Sequence, residues 1–123
     1  MKNSFFILTM LMFSLTSCMP KDLPTVITQK QDYALVKLSH ETTKEELKTI
    51  QQKLAEQEIG FNYDGSTFFD DNKLQKLNLV VSVPGGHSGR TSADIVAIQF
   101  KYFGFLYQKG GNPVFRIGEM TGI

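Results

Sequence analysis

The sequence has one cysteine, two histidines and no tryptophan in 123 residues. A single cysteine cannot pair within the chain, so a disulfide-stapled scaffold is excluded. Cysteine and histidine together supply only three ligands, which argues against a structural zinc site of the usual four-ligand kind. An excess of one charge is also missing: 13 Lys and Arg stand against 12 Asp and Glu, a formal charge of +1. That balance excludes a strongly basic nucleic-acid binder and an acidic tail protein, so no nucleic-acid partner is expected. The chain carries no internal repeat and no low-complexity run. Its length fits one domain, since single domains run to roughly 100–200 residues.

What is present begins at the N-terminus. Met1 to Ser4 carries one positive charge, on Lys2, and Phe5 to Leu15 follows as eleven uncharged residues. That run suits the apolar core of a signal peptide and falls short of the ~20 residues needed to span a bilayer. Leu15-Thr16-Ser17-Cys18 then places a branched apolar residue and two small ones before the only cysteine. This resembles a bacterial lipobox, which implies a diacylglyceryl group on the Cys18 sulfur, cleavage before Cys18 and acylation of the new amine. The thiol is needed because sulfur is the nucleophile. A plain secretory signal with an incidental cysteine, or an N-terminal anchor helix, are the alternatives. With residues 1–17 removed, Lys2 leaves and the mature chain carries 12 positive against 12 negative residues.

Residues 18–32 read as a lipidated tether, polar except for Val26-Ile27, which could instead add a short edge strand. Residues 33–123 read as a single α+β domain, with one helix packed on an antiparallel sheet. Tyr33 to Leu38 alternates as a strand, with Ala34, Val36 and Leu38 on one face. Thr43-Lys44-Glu45-Glu46 is a capping box, with Thr42 as an equally spaced start. Leu47, Ile50 and Leu54 continue at helical spacing, and the helix should stop near Gln57 or Glu58. Ile59 to Tyr63 is a second strand, able to continue to Phe69 through a bulge at Gly65. In Leu74 to Val83, Leu77, Leu79, Val81 and Val83 alternate with Lys76, Asn78, Val80 and Ser82. Pro84 to Ser92 reads as a Gly-rich loop, and Asp94 to Tyr107 as an aromatic strand bent at Gly104. Pro113 to Ile117 returns as the last strand, at an edge or starting at its proline. The predicted order is β-α-β-β followed by a C-terminal β-hairpin.

Thr42, Thr43, Glu45, Glu46, Leu47, Ile50, Leu54, the Ile59-x-Phe61-x-Tyr63 strand, Gly86, Ser88, Gly89 and Pro113 together form a pattern running from Leu35 to Ile117. It resembles small extracytoplasmic modules of Bacteroidota, found alone as short lipoproteins or C-terminal to membrane metallopeptidases of the beta-lactam-sensor type. The resemblance implies the α+β fold and the envelope. It implies no peptidase activity, because the His-Glu-x-x-His motif is absent: His40-Glu41 is followed by Lys44 where the second histidine would stand. Where these modules place Gly to end the helix, this chain has Glu58.

Two stretches invite a functional reading. In Pro84-Gly85-Gly86-His87-Ser88-Gly89-Arg90, His87 and Arg90 could contact an anion. No Gly-Lys-Ser/Thr ending makes it a phosphate loop, and no Asp at a recognisable spacing orients His87. Neither a catalytic residue nor a cofactor is expected from it. Asp64, Asp70, Asp71 and Asn72 lack the alternation of a calcium loop and read as solvated turns, so no metal site is expected. The aromatic run Phe103, Phe105 and Tyr107 is either core or a partner surface, and is the candidate interface. The reading is a lipid-anchored envelope protein, on the outer membrane facing the periplasm because Met19 rather than Asp follows the cysteine. Its domain is expected to bind or support an envelope protein without catalysis. An inhibitor or immunity-type protein docking on an enzyme or toxin, through an edge strand or the aromatic hairpin, is the alternative.

Overall fold

The computed structural model of the chain describes residues 23–95, 97 and 101–120. The signal peptide, Cys18 and, within the strand expected over Asp94 to Tyr107, residues 96 and 98–100 lie outside those residues. The described chain is α+β. Its strands are β1 (Val26–Lys30), β2 (Tyr33–Leu38), β3 (Gly60–Asn62), β4 (Thr67–Phe68), β5 (Leu74–Val83), β6 (His87–Asp94), β7 (Phe103–Gln108) and β8 (Phe115–Glu119), with helix α1 (Lys44–Ala55) between β2 and β3.

The strands form two antiparallel sheets rather than the single sheet expected. One has the order β1-β2-β7-β8; in the other, β5 is flanked by β6 on one edge and by β3 and β4 on the other. The reason lies in the pleat. Strand β5 buries Leu77, Leu79, Val81 and Val83 on one face and exposes Lys76, Val80 and Ser82 on the other. Its apolar face meets that of β2 and β7, where Ala34, Val36, Leu38, Phe105 and Tyr107 join the same core. The Phe61 and Phe105 rings meet across the two sheets at 6.3 Å between centroids.

Helix α1 starts as its residue types dictate. Thr43 is the N-cap: its hydroxyl accepts from the Glu46 N–H at 3.2 Å, and the Glu46 carboxylate accepts from the Thr43 N–H at 2.9 Å. Leu47, Ile50 and Leu54 are buried against the sheets. The helix ends in a left-handed turn, with the Ile59 N–H donating to the Leu54 carbonyl and the Glu58 N–H to the Ala55 carbonyl. The residue carrying the positive φ, of 61°, is Glu58. This is the helix-ending position that glycine usually fills, since a side chain there costs roughly 1–2 kcal/mol.

Helix α1 closes one seam between the sheets. Gln51 Nε2 donates to the Phe61 carbonyl on β3 at 2.8 Å, and Gln29 Nε2 on β1 donates to the Lys53 carbonyl at 3.1 Å. At the opposite seam β6 lies against β8 without a hydrogen-bonded ladder. Gly89 permits the approach: a Cβ there would stand 2.7 Å from Ile117 Cγ2 and 3.1 Å from Phe115 Cε2. On the other edge of β5, β3 and β4 follow one another as the bulged continuation expected around Gly65. Ser66 bridges the break, its hydroxyl donating to the Asn78 carbonyl at 3.1 Å and accepting from the Asn78 N–H at 2.8 Å.

Two sequence expectations are corrected here. Residues 23–32 are not tether. Val26–Lys30 is an edge strand in continuous register with β2, so the fold begins by Leu23. Polar residues disguised it: Thr25 and Gln29 reach the helix by hydrogen bonds rather than by apolar contact. His87 to Ser92 is not loop but most of β6, and only Pro84-Gly85-Gly86 turns. Its inward residues Gly89, Thr91 and Ala93 are small, so no hydrophobic alternation announced the strand.

Candidate functional site

The register fixes two ends of the molecule. β2 runs from Tyr33 to Leu38 while its partner β7 runs from Phe103 to Gln108, so Leu38 sits beside Phe103 and Tyr33 beside Gln108. The chain enters at the Leu38 end. There the Leu23 N–H donates to Glu41 Oε2 at 2.6 Å, and Ser39 Oγ donates to the Leu23 carbonyl. Tyr102 donates its hydroxyl to the Pro24 carbonyl at 2.8 Å. Burial raises the Tyr102 phenol pKa above its ordinary value, and the Glu41 charge adds to the shift. The hydroxyl therefore keeps its proton and its donor role. Ser39 and Thr42 are fully buried at this end and satisfied, since Thr42 Oγ1 accepts from the Ser39 N–H at 2.9 Å and meets Thr25 Oγ1 at 2.8 Å.

At the opposite end three turns converge: β1–β2, β5–β6 and β7–β8. They bound a cleft of about 420 Å³ lined by Asp32, Pro84, Gly85, His87, Tyr107, Lys109 and Val114. The Lys109 N–H donates to the Asp32 carbonyl at 3.0 Å and ties two of the turns together. In the third, Gly85 and Gly86 take φ values of 94° and 88°, which side chains rarely adopt. The His87 ring lies back toward this turn, its Cδ2 3.6 Å from where a Gly85 Cβ would be. The cleft thus brings His87, Lys109, Asp32 and the largely buried Tyr107 together with apolar Pro84 and Val114. Its volume lies within the roughly 300–1,000 Å³ of small-molecule sites.

The structure treats the sequence-predicted residues differently from one another. His87 lines the cleft. Arg90 does not share its face: three residues along a strand lead to the opposite side, and Arg90 pairs with Val80 on the exposed face of β5. The anion contact expected from His87 and Arg90 together is therefore not assembled. Ser88 also points away from His87, as strand neighbours do.

The partner surface of Phe103, Phe105 and Tyr107 is overturned. Phe105 is 0% exposed and Tyr107 4%, both in the central core, with Phe103 half-buried beside them. A second sheet covers the face that a single sheet would have left open. Asp32 and Lys109 were missed because each reads as an ordinary turn residue. Gln31-Asp32, as a two-residue connection between Val26-Ile27 and the Tyr33 strand, was the available signal. Among the described residues, no three His, Cys, Asp or Glu side chains gather to hold a metal ion.

No protein-family model, curated protein or solved structure matches this chain.

Among the described residues, no helix is long and apolar enough to cross a membrane.

Proposed function

We propose that this chain is a lipid-anchored envelope protein whose small domain is a non-catalytic binding module that displays its cleft away from the membrane. The observation that carries the reading is the placement of the fold's entry and the three-turn cleft at opposite ends of the sheets. Leu23 lies five residues after Cys18, a leash of at most ~18 Å at about 3.6 Å per residue. The six residues of β2 carry the cleft roughly 20 Å further out, at about 3.3 Å per residue. An anchored domain would then rest its knitted end toward the lipid and turn Asp32, His87 and Lys109 outward. The placement proposed is the outer membrane, facing the periplasm.

Binding is favoured over catalysis by the lining of the cleft. Among the described residues, the cleft lining brings no serine or cysteine to His87, and Arg90 lies on another face. Docking on an enzyme or toxin through the aromatic hairpin loses its basis, since Phe105 and Tyr107 are core.

The test is metabolic labelling of cells expressing the full chain with a palmitate analogue. The native chain should take the label and Cys18→Ala should not. A label that persists in Cys18→Ala, or is absent from the native chain, overturns the anchoring.

A further inference from the structure

We propose that the free edge of β1, beside α1, docks an extended peptide segment of a partner protein with the pattern acidic-x-apolar-x-basic, read from N to C. The inference goes beyond the anchored reading and does not depend on the cleft at the other end.

Strand β1 pairs with β2 along one edge, and among the described residues no strand pairs with its other edge. An open edge offers a row of backbone donors and acceptors to a further strand. Helix α1 holds only the Gln29–Lys30 end of this edge, through the Gln29 and Gln57 side chains, and two of the usual protections, proline and a bulge, are missing from β1. It contains no proline, its register with β2 is unbroken over five residues, and its only charge is the terminal Lys30.

Alongside this edge runs an open groove of about 360 Å³ between β1 and α1. Half-buried Ile27 supplies its apolar part over the buried Ile50, Glu45 and Glu46 stand at one end, and Lys53 at the other. Glu45 and Lys53 make no ion pair among the described residues. The acidic end and Lys53 lie seven to eight residues apart on α1, or ~11 Å at about 1.5 Å per residue. In an added strand, positions i and i+4 share a face and lie ~13 Å apart, with i+2 between them on that face. Two charged residues and a central apolar one therefore match the groove's two charged ends and its isoleucines.

The direction follows from β1. Its start is beside the acidic end, where Thr25 Oγ1 donates to Glu46 Oε1 at 3.1 Å, and its Gln29 end is beside Lys53. Antiparallel pairing is the more stable arrangement per residue. An antiparallel peptide runs from Lys53 toward Glu45, so its acidic residue comes first. A second copy of β1 fits less well: Val-Ile-Thr-Gln-Lys has the basic end but an apolar residue where the acid is required.

The experiment uses the full chain in detergent micelles and fluorescence anisotropy with the labelled peptide Thr-Glu-Thr-Val-Thr-Lys-Thr. Its reversed-charge counterpart, Thr-Lys-Thr-Val-Thr-Glu-Thr, is measured alongside. The acidic-first peptide should bind about tenfold more tightly, the scale of two partly exposed ion pairs changing sign. The double variant Glu45→Lys/Lys53→Glu, destabilised through the helix dipole but shown to be folded by a cooperative melt, should invert the preference. Equal affinity for both peptides, no binding of either, or a preference the double variant leaves in place overturns the proposal. So does a dimer in sedimentation that the double variant dissolves, because the edge would then belong to a second copy.

Discussion

The two ends of this domain are built from the same strands and finished by opposite means. At the entry end, side chains do the joining: Glu41, Ser39, Thr42, Thr25 and Tyr102 each take a hydrogen bond that fixes residues 23–25 or the β2–α1 connection. A backbone bridge between Thr43 and Lys73 ties the β4–β5 turn to the same end. At the far end the backbone carries the burden. Asp32, Glu58, Gly85, Gly86 and Gly110 all have positive φ there, and the turns leave a cleft between them. Buried hydroxyls make one end rigid and costly to alter. Exposed turns with few shared bonds leave the other free to carry binding groups.

Five substitutions and one titration separate these ends, each read by thermal or denaturant melts. Phe105→Ser sets the scale from the middle: it empties the core both ends share and should cost about 3–5 kcal/mol, enough to unfold a marginal domain. A folded variant of near-native stability would return Phe105 to the surface. Thr42→Val at the entry end removes a buried acceptor from the Ser39 N–H and should cost about 1–3 kcal/mol. A neutral result would mean that the knitting does not stabilise. Glu58→Gly at the far end should instead stabilise by about 1 kcal/mol, by relieving a left-handed side chain.

The titration concerns Tyr102. Its raised pKa means that the unfolded chain loses the phenol proton first, so the stability it contributes is complete below the ordinary value of about 10 and falls as pH rises through the folded value. Tyr102→Phe should flatten that alkaline loss; an unchanged profile would detach it from Tyr102. Smallest of all, His87→Ala and Lys109→Ala should each shift stability by no more than about 0.5 kcal/mol. A larger loss would make the far end structural rather than a place for binding.

How much of this was legible in the sequence depends on which signal each element used. Helix α1 and strand β5 were legible because Leu47-Ile50-Leu54 and Leu77-Leu79-Val81-Val83 write their periods in large apolar residues. Strand β1 was legible only as the alternative of a short edge strand at Val26-Ile27, because Thr25 and Gln29 reach the helix through hydrogen bonds and look like tether. Strand β6 was not, because its inward residues are small for packing reasons. The aromatic strand showed its alternation but not which face was covered, since the number of sheets is a tertiary fact. Of the cleft, only His87 was visible. Asp32 and Lys109 reach it through turns separated by most of the chain, a closure that no local pattern records.

Gly89 has a consequence of its own. The two sheets are joined on one side by a helix with three buried residues and on the other by side chains of β8 resting where an atom is missing from β6. Among the described residues, no ladder crosses that second junction. The domain therefore has a parting line: one added methyl group at residue 89 would wedge β6 from β8 without breaking a single strand-to-strand hydrogen bond.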